Sequence, residues 1–372
     1  MDNIITYAEE TMDSFIDRSF SPVDSLVLSQ LSYINFPLFT PKLDSDQASI
    51  RIADLFRAEY FEEMLHNVRD PKSNLRLLYA LAASPRFRDI GINYYSIQND
   101  FAEEKQFAAV TFFLDDHTAY VAFRGTDGTF VGWKEDFNMA FKSPVPSQTE
   151  SLNYLETISS KWPGKLFVGG HSKGGNLAVY SAMMSTEETQ KKILQVYSHD
   201  GPGFKADVLK GINFDNIKDR INKTLPQSSI IGMLLEQQED YSVVKSSQLG
   251  IMQHDPFSWI VKDYQFQYLK DLTPSALYVD QTLSEWVENL SDSEREEFID
   301  TLYDVLNTGE YTTISQFNEN WKKNIHDMIN AIKGLDPDKK IFIYSTLLAL
   351  ISLVVKNLSN PPHENGESIL SE

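Results

Sequence analysis

The chain has no cysteine in 372 residues. That absence excludes a thiol nucleophile, a thiolate zinc site, an iron–sulfur cluster and a disulfide scaffold, so any nucleophile must be Ser, Thr, Lys or a carboxylate. Basic residues are scarce: 33 Lys and Arg against 53 Asp and Glu leave a net charge of −20, which repels nucleic acid and anionic head groups. No nucleic-acid partner is therefore expected. Long apolar runs are missing too. The longest, 341–355, has fifteen residues, whereas a bilayer span takes about twenty. It reads as a helix buried against the protein, with peripheral membrane contact as the lesser alternative. The first thirty residues are acidic and carry no apolar stretch behind a basic start. They give no secretory signal, and a cytoplasmic protein is the default expectation. No G-x-G-x-x-G opens a helix and neither a P-loop nor an H-x-x-x-H spacing occurs, so no cofactor and no metal is expected.

What is present alternates in character along the chain. Apolar residues at three- and four-residue spacing predict helices over 24–35, 46–66 and 72–84, the first with Ser21 as a candidate cap before Pro22. After Gly91 the pattern turns to strands. Residues 107–114 and 118–124 read as a hairpin across Asp115-Asp116-His117. A helix near 147–160, a strand at 165–170, a small-residue helix, and strands at 193–198 and 228–235 follow. Strand–helix–strand alternation predicts parallel strands with helical crossovers, hence an α/β fold with a mostly parallel sheet. Beyond 283 the pattern is helical again over 293–307, 314–335 and 337–358, before a polar tail. The expected organisation is an N-terminal helical segment 1–89, a core 90–282 and a C-terminal helical cap 283–372.

The sharpest chemical signal is Gly170-His171-Ser172-Lys173-Gly174, between an apolar strand and a small-residue helix. It fits the nucleophile elbow G-x-S-x-G, where a strained strand-to-helix turn exposes the serine and glycines let neighbouring backbone approach. The bland alternative is a glycine-rich turn with an idle serine. An acyl-transfer serine also needs donors for its oxyanion: the amide after it, here Lys173, and one from an earlier strand end. Phe123-Arg124-Gly125-Thr126 supplies that strand end, with Thr126 as the donor.

Phe123-Arg124-Gly125-Thr126, the Trp133…Asp136 pair and GHSKGGNLA at 170–178 together resemble class 3 lipases of the α/β-hydrolase superfamily, over roughly residues 100–260, and most nearly a bacterial branch of that group. The resemblance implies an α/β-hydrolase core, an oxyanion hole at the first motif, the nucleophile at the second, and an Asp and a His after it. In superfamily order the base follows the acid on a loop at the carboxyl edge of the sheet. Of the seven histidines (His66, His117, His171, His199, His254, His326, His363), His254 meets both conditions and His199 is the runner-up. In the lipases an Asp precedes an apolar pair in this region, which implies Asp240 as the acid; Glu239, Glu236 and Asp200 are the alternatives. One departure is Lys173, where the lipases carry an apolar residue: either a cation for an anionic substrate or, as favoured here, a stem lying over the surface. The expected reaction is cleavage of an acyl ester or lipid through an acyl-enzyme on Ser172. A hydrolase-like scaffold that binds a lipid or partner without turnover is the alternative. The apolar segment 341–355 is a candidate pocket wall or lid, and oligomeric state is left open.

Overall fold

The computed structural model describes residues 2–100, 103–127, 142–205, 212–235 and 240–306, together with 134–135, 138–139, 208–209, 333–335, 337 and 340–346. Its centre is one nine-stranded sheet in the order β1-β2-β3-β4-β5-β6-β7-β8-β11. The strands are β1 (Ile50–Arg51), β2 (Gly91–Asp100), β3 (Lys105–Phe113), β4 (Thr118–Phe123), β5 (Lys165–His171), β6 (Ile193–His199), β7 (Ile221–Pro226), β8 (Tyr241–Val244) and β11 (Tyr268–Leu269). A separate two-stranded ladder is made by β9 (Val261–Lys262) and β10 (Gln265–Phe266). The pairs from β4 to β8 are parallel, and antiparallel strands finish both edges. This is the α/β-hydrolase type of α/β fold, with its parallel part in the five central strands.

The strand order explains the layers. Parallel strands laid down in sequence order, with right-handed crossovers, place every crossover helix on one face of the sheet. Helices α4 (Pro146–Lys161) and α5 (Lys173–Met184) cover that face, packing Tyr154, Leu155, Ile158, Leu177 and Val179 on Val121, Phe123, Val168 and Val196. The opposite face needs another cover. Alternation along β4 sends Tyr120 and Ala122 to that side, where the N-terminal residues bury them beneath α1 (Ile4–Glu10), α2 (Pro22–Leu31) and α3 (Pro71–Ala83). Helix α2 starts as expected at Ser21, whose hydroxyl accepts from the Asp24 amide while the Asp24 carboxylate accepts from the Ser21 amide. The same carboxylate is bound at 2.7 Å by the Arg86 guanidinium, with both side chains fully buried. Arg86 also donates to the carbonyls of Asp13, Arg18 and Ser19, tying the 13–19 loop to the core. The N-terminal end is closed by distant residues: the Val261 amide donates to the Asp2 carbonyl at 3.0 Å, and Asn3 Nδ2 to the Phe257 carbonyl at 2.9 Å.

Two expectations change. Residues 46–66 form β1, short 3₁₀ turns and a single α-turn at Phe61–Met64 rather than one helix. The segment 228–235 is not a strand but a turn, because its backbone bends to serve Asp200, as described below. The strand in that region is β7, whose Asn222, Lys223 and Thr224 disguise it as polar chain. Further along the chain come the helices α6 (Pro274–Glu288) and α7 (Asp292–Leu306), which meet through Trp286 and Phe298 with ring centroids 5.3 Å apart. Of the segment 341–355 only 341–346 is described; Ile343 packs with Phe298 and Ile299, and the Thr346 carbonyl accepts from Trp286 Nε1. The helix expected over 314–335 falls almost wholly outside the described residues, as do Trp133, Asp136, Glu236 and Glu239.

Candidate active site

Strand β5 runs into α5 through Ser172, which holds φ 59° and ψ −132°. A non-glycine residue there costs on the order of 1–3 kcal/mol and persists only where the surroundings impose it. They do so tightly. The Ser172 amide donates to the His199 carbonyl of β6 at 2.9 Å. At Gly174 any Cβ would sit on the Phe123 carbonyl oxygen of β4, and at Gly125 one would meet the Tyr33 hydroxyl and the His171 carbonyl. The first turn of α5 and the 124–127 loop are thus pressed together across the carboxyl edge of β4 and β5.

His254 closes a 3₁₀ helix (Gly250–His254) that follows β8, and its Nε2 lies 2.9 Å from Ser172 Oγ. Its Nδ1 lies 2.6 Å from Asp200 Oδ2. Asp200 is the residue directly after β6, fully buried, at φ 49°. Its other oxygen accepts from Ser229 Oγ at 2.5 Å and from the Gly232 amide at 3.1 Å. The carboxylate is therefore held by two donors on one oxygen and by the imidazole on the other. Trp259 Nε1 and the Ser228 amide bind the carbonyl and side-chain oxygen of Gln253, fixing the residue before the imidazole.

The acid partner differs from the expectation. Asp240 is exposed and stands just before β8, which pairs Tyr241 with Lys223 and Val244 with Pro226. It lies at the entry end of a parallel strand, about 13 Å along a four-residue strand from the carboxyl edge where Ser172 sits. Asp200, weighed as a loop residue, is at the correct edge. The reading of Lys173 as a surface stem or a cation for substrate also fails. Its ammonium is 1% exposed and pairs with the fully buried Glu135 at 3.0 Å, also donating to the Gln106 carbonyl at 2.9 Å. The chain's own carboxylate neutralises it. Thr126 follows β4 in the loop beside the elbow, and Lys173 opens α5, so its amide points from a helix N-terminus.

The other histidines near the elbow have structural partners. His171 Nε2 donates to the His254 carbonyl at 2.8 Å, its Nδ1 lies 3.2 Å from the Tyr33 hydroxyl, and its ring lies 4.5 Å from that of His254, tilted by 35°. Burial, reinforced by the neighbouring His254, holds it well below the usual histidine range. His199 is held between Ser25 Oγ at 2.9 Å and Thr224 Oγ1 at 2.7 Å, and burial lowers its pKa to about 3. Among the described residues no metal-ligating cluster occurs, and no helix is long and apolar enough to cross a membrane.

The strand order and the Ser172, His254 and Asp200 distances define an α/β-hydrolase architecture with a serine–histidine–aspartate arrangement at the carboxyl edge of its sheet. Residues 81–304 match the family model described as Mbeg1-like. The chain belongs to the Mbeg1-like family, a lipase-like family. No curated protein sequence matches it. Among solved structures, the chain is similar to the native lipase–propeptide complex of Rhizomucor miehei at 18% identity and TM-score 0.32, covering 43% of this chain and 58% of that one. A mutant form of MDLA from Penicillium cyclopium matches at 11% identity and TM-score 0.37, covering 66% and 83%. The lipase of Rhizopus microsporus var. chinensis matches at 15% identity and TM-score 0.30, covering 63% and 96%. The architecture rests on the strand order and the site geometry. These likenesses are fungal and lend no support to the expected bacterial branch.

Proposed function

We propose that the chain is a serine hydrolase that cleaves acyl esters of lipid type through an acyl-enzyme on Ser172. The observation that carries the reading is the continuous line from Ser172 Oγ to His254 Nε2 at 2.9 Å and from His254 Nδ1 to Asp200 at 2.6 Å. His254 takes the hydroxyl proton as Oγ attacks the ester carbonyl. The oxyanion settles on the amides of Lys173 and Thr126, and His254 hands its proton to the leaving alcohol. Water, activated by the same imidazole, then releases the acid. Asp200 holds the tautomer with its proton on Nδ1. A lipid-like acyl group is supported by the lipase-like family and by Leu249 and Met252, 82% and 50% exposed on the stretch leading to His254.

The test is labelling of the intact protein by a fluorophosphonate, read by mass, beside Ser172→Ala and His254→Ala and a p-nitrophenyl ester series of rising chain length. Labelling that vanishes in Ser172→Ala and drops sharply in His254→Ala is the expected result. Folded wild-type protein that neither labels nor turns over any ester would sink the proposal and leave a binding scaffold.

A further inference from the structure

We infer that Glu135, Lys173 and Gln106 form a buried strut that sets the distance between the two halves of the oxyanion hole, making all three positioning residues for the reaction. This rests on the serine-hydrolase reading above and extends it to residues that never touch substrate. Under that reading the two donors sit on different elements, the Lys173 amide on the elbow and the Thr126 amide on the loop after β4. Stabilising a developing charge requires both to be held before the charge appears.

The described contacts link those two elements through one carboxylate. Glu135 Oε2 accepts from Lys173 Nζ at 3.0 Å and from the Gln106 amide at 3.1 Å, while Oε1 accepts from the Ser147 amide at 2.9 Å. Lys173 Nζ also donates to the Gln106 carbonyl at 2.9 Å. Gln106 then reaches the second element: its side-chain oxygen accepts from the amide of Asp127, the neighbour of Thr126, at 3.1 Å. Lys173 is thus anchored at both ends of its own residue, its backbone facing the reacting carbonyl and its ammonium locked to the base of the opposite loop. An apolar residue after the serine would pack there but could not couple the elbow to the loop. Glu135 and Gln106 are 0% and 3% exposed, so the ties are not loosened by solvent. The segment bearing Glu135 is held from outside as well, through Lys134 to Asp300 at 2.8 Å and Lys142 to Glu296 at 2.7 Å, both acids on α7.

Removing one member of a buried pair strands its partner's charge, so the decisive variant replaces both together, Lys173→Met with Glu135→Leu. With p-nitrophenyl esters, the expected result is a kcat at least tenfold below wild type with KM within about twofold, in protein of wild-type circular dichroism. The affinity for a trifluoromethyl ketone, which presents an oxyanion, falls in proportion to kcat. A merely structural pair would not couple those two losses. Gln106→Met keeps the ion pair and the backbone bonds and removes the acceptor held for Asp127; it gives the same readouts if the double variant does not fold. A wild type that works beside a folded, equally active variant overturns the strut alone. A wild type that neither labels nor turns over overturns the hydrolase reading and the strut with it.

Discussion

Replacing Asp200 by Asn tests the acid assignment with a sign that the surroundings dictate. One oxygen of Asp200 already accepts two donors, Ser229 Oγ and the Gly232 amide. In the Asp200→Asn variant only the carbonyl oxygen of the new carboxamide can take that place, so its nitrogen must face His254 Nδ1. An NH₂ cannot accept from Nδ1–H, and the imidazole is driven to the tautomer that carries its proton on Nε2. Nε2 is the atom 2.9 Å from Ser172 Oγ that receives the serine proton in the proposed mechanism. The geometry survives and the base is blocked, a situation that costs roughly 10⁴ in kcat, about 5.5 kcal/mol of transition-state stabilisation. Asp240→Asn, at an exposed position before β8, should stay within about twofold of wild type. The assay is ester hydrolysis with active sites counted by fluorophosphonate. Asp200→Asn within tenfold of wild type, or a larger loss in Asp240→Asn, would refute the reasoning.

Three further outcomes follow from the packing. Gly174→Ala places a methyl on the Phe123 carbonyl oxygen, so β4 or the elbow must move. A loss of about 3 kcal/mol in urea unfolding is expected, with esterase activity falling further than the remaining folded fraction. His199 titrates at about 3 when folded against about 6.5 when unfolded, so its contribution is complete above pH 6.5 and is lost as pH falls from there towards 3. Between pH 8 and pH 5 that loss is about 2 kcal/mol, and His199→Gln should flatten the acid limb of the stability curve by that amount; an unchanged slope would rule it out. Arg86→Ala leaves Asp24 charged in a fully buried site, which should cost about 3–5 kcal/mol. It also frees the 13–19 loop, so limited proteolysis should cut there first, and uncut protein of wild-type stability would contradict the role.

Where a residue's job is local, the sequence states it. The elbow glycines, the Ser21 cap and the apolar strands at 165–170 and 193–198 announce themselves because backbone approach, capping and burial act within a few residues. The hairpin β3–β4 is legible for the same reason. Other strands are not: β7 carries Asn222, Lys223 and Thr224, and β2 is interrupted by a bulge between Asn93 and Ser96 with Tyr94 at φ 57°. The proposed acid is hard to place because Asp240 and Asp200 both adjoin strands, and only the direction of the parallel sheet tells which stands at its carboxyl edge. The position of His199-Asp200-Gly201 directly after a predicted strand is the one available signal. Glu135 has none. Its meaning lies in Lys173, 38 residues away, and in a cation turned inward where side-chain chemistry alone suggests the surface.

The bonds from Val261 to Asp2 and from Asn3 to Phe257 close residues 2–261 into a loop, joining residues 254 apart in the second of them. During synthesis at about 5–20 residues per second, roughly 13–50 s pass between the first helix leaving the ribosome and the arrival of its final partner. Contacts so distant form slowly, and apolar surface waits uncovered in the meantime. The later of the two links, at Val261, lies seven residues past His254. A nascent chain therefore completes the cover over its amino end at the same stage of synthesis that delivers His254, the base of the proposed mechanism.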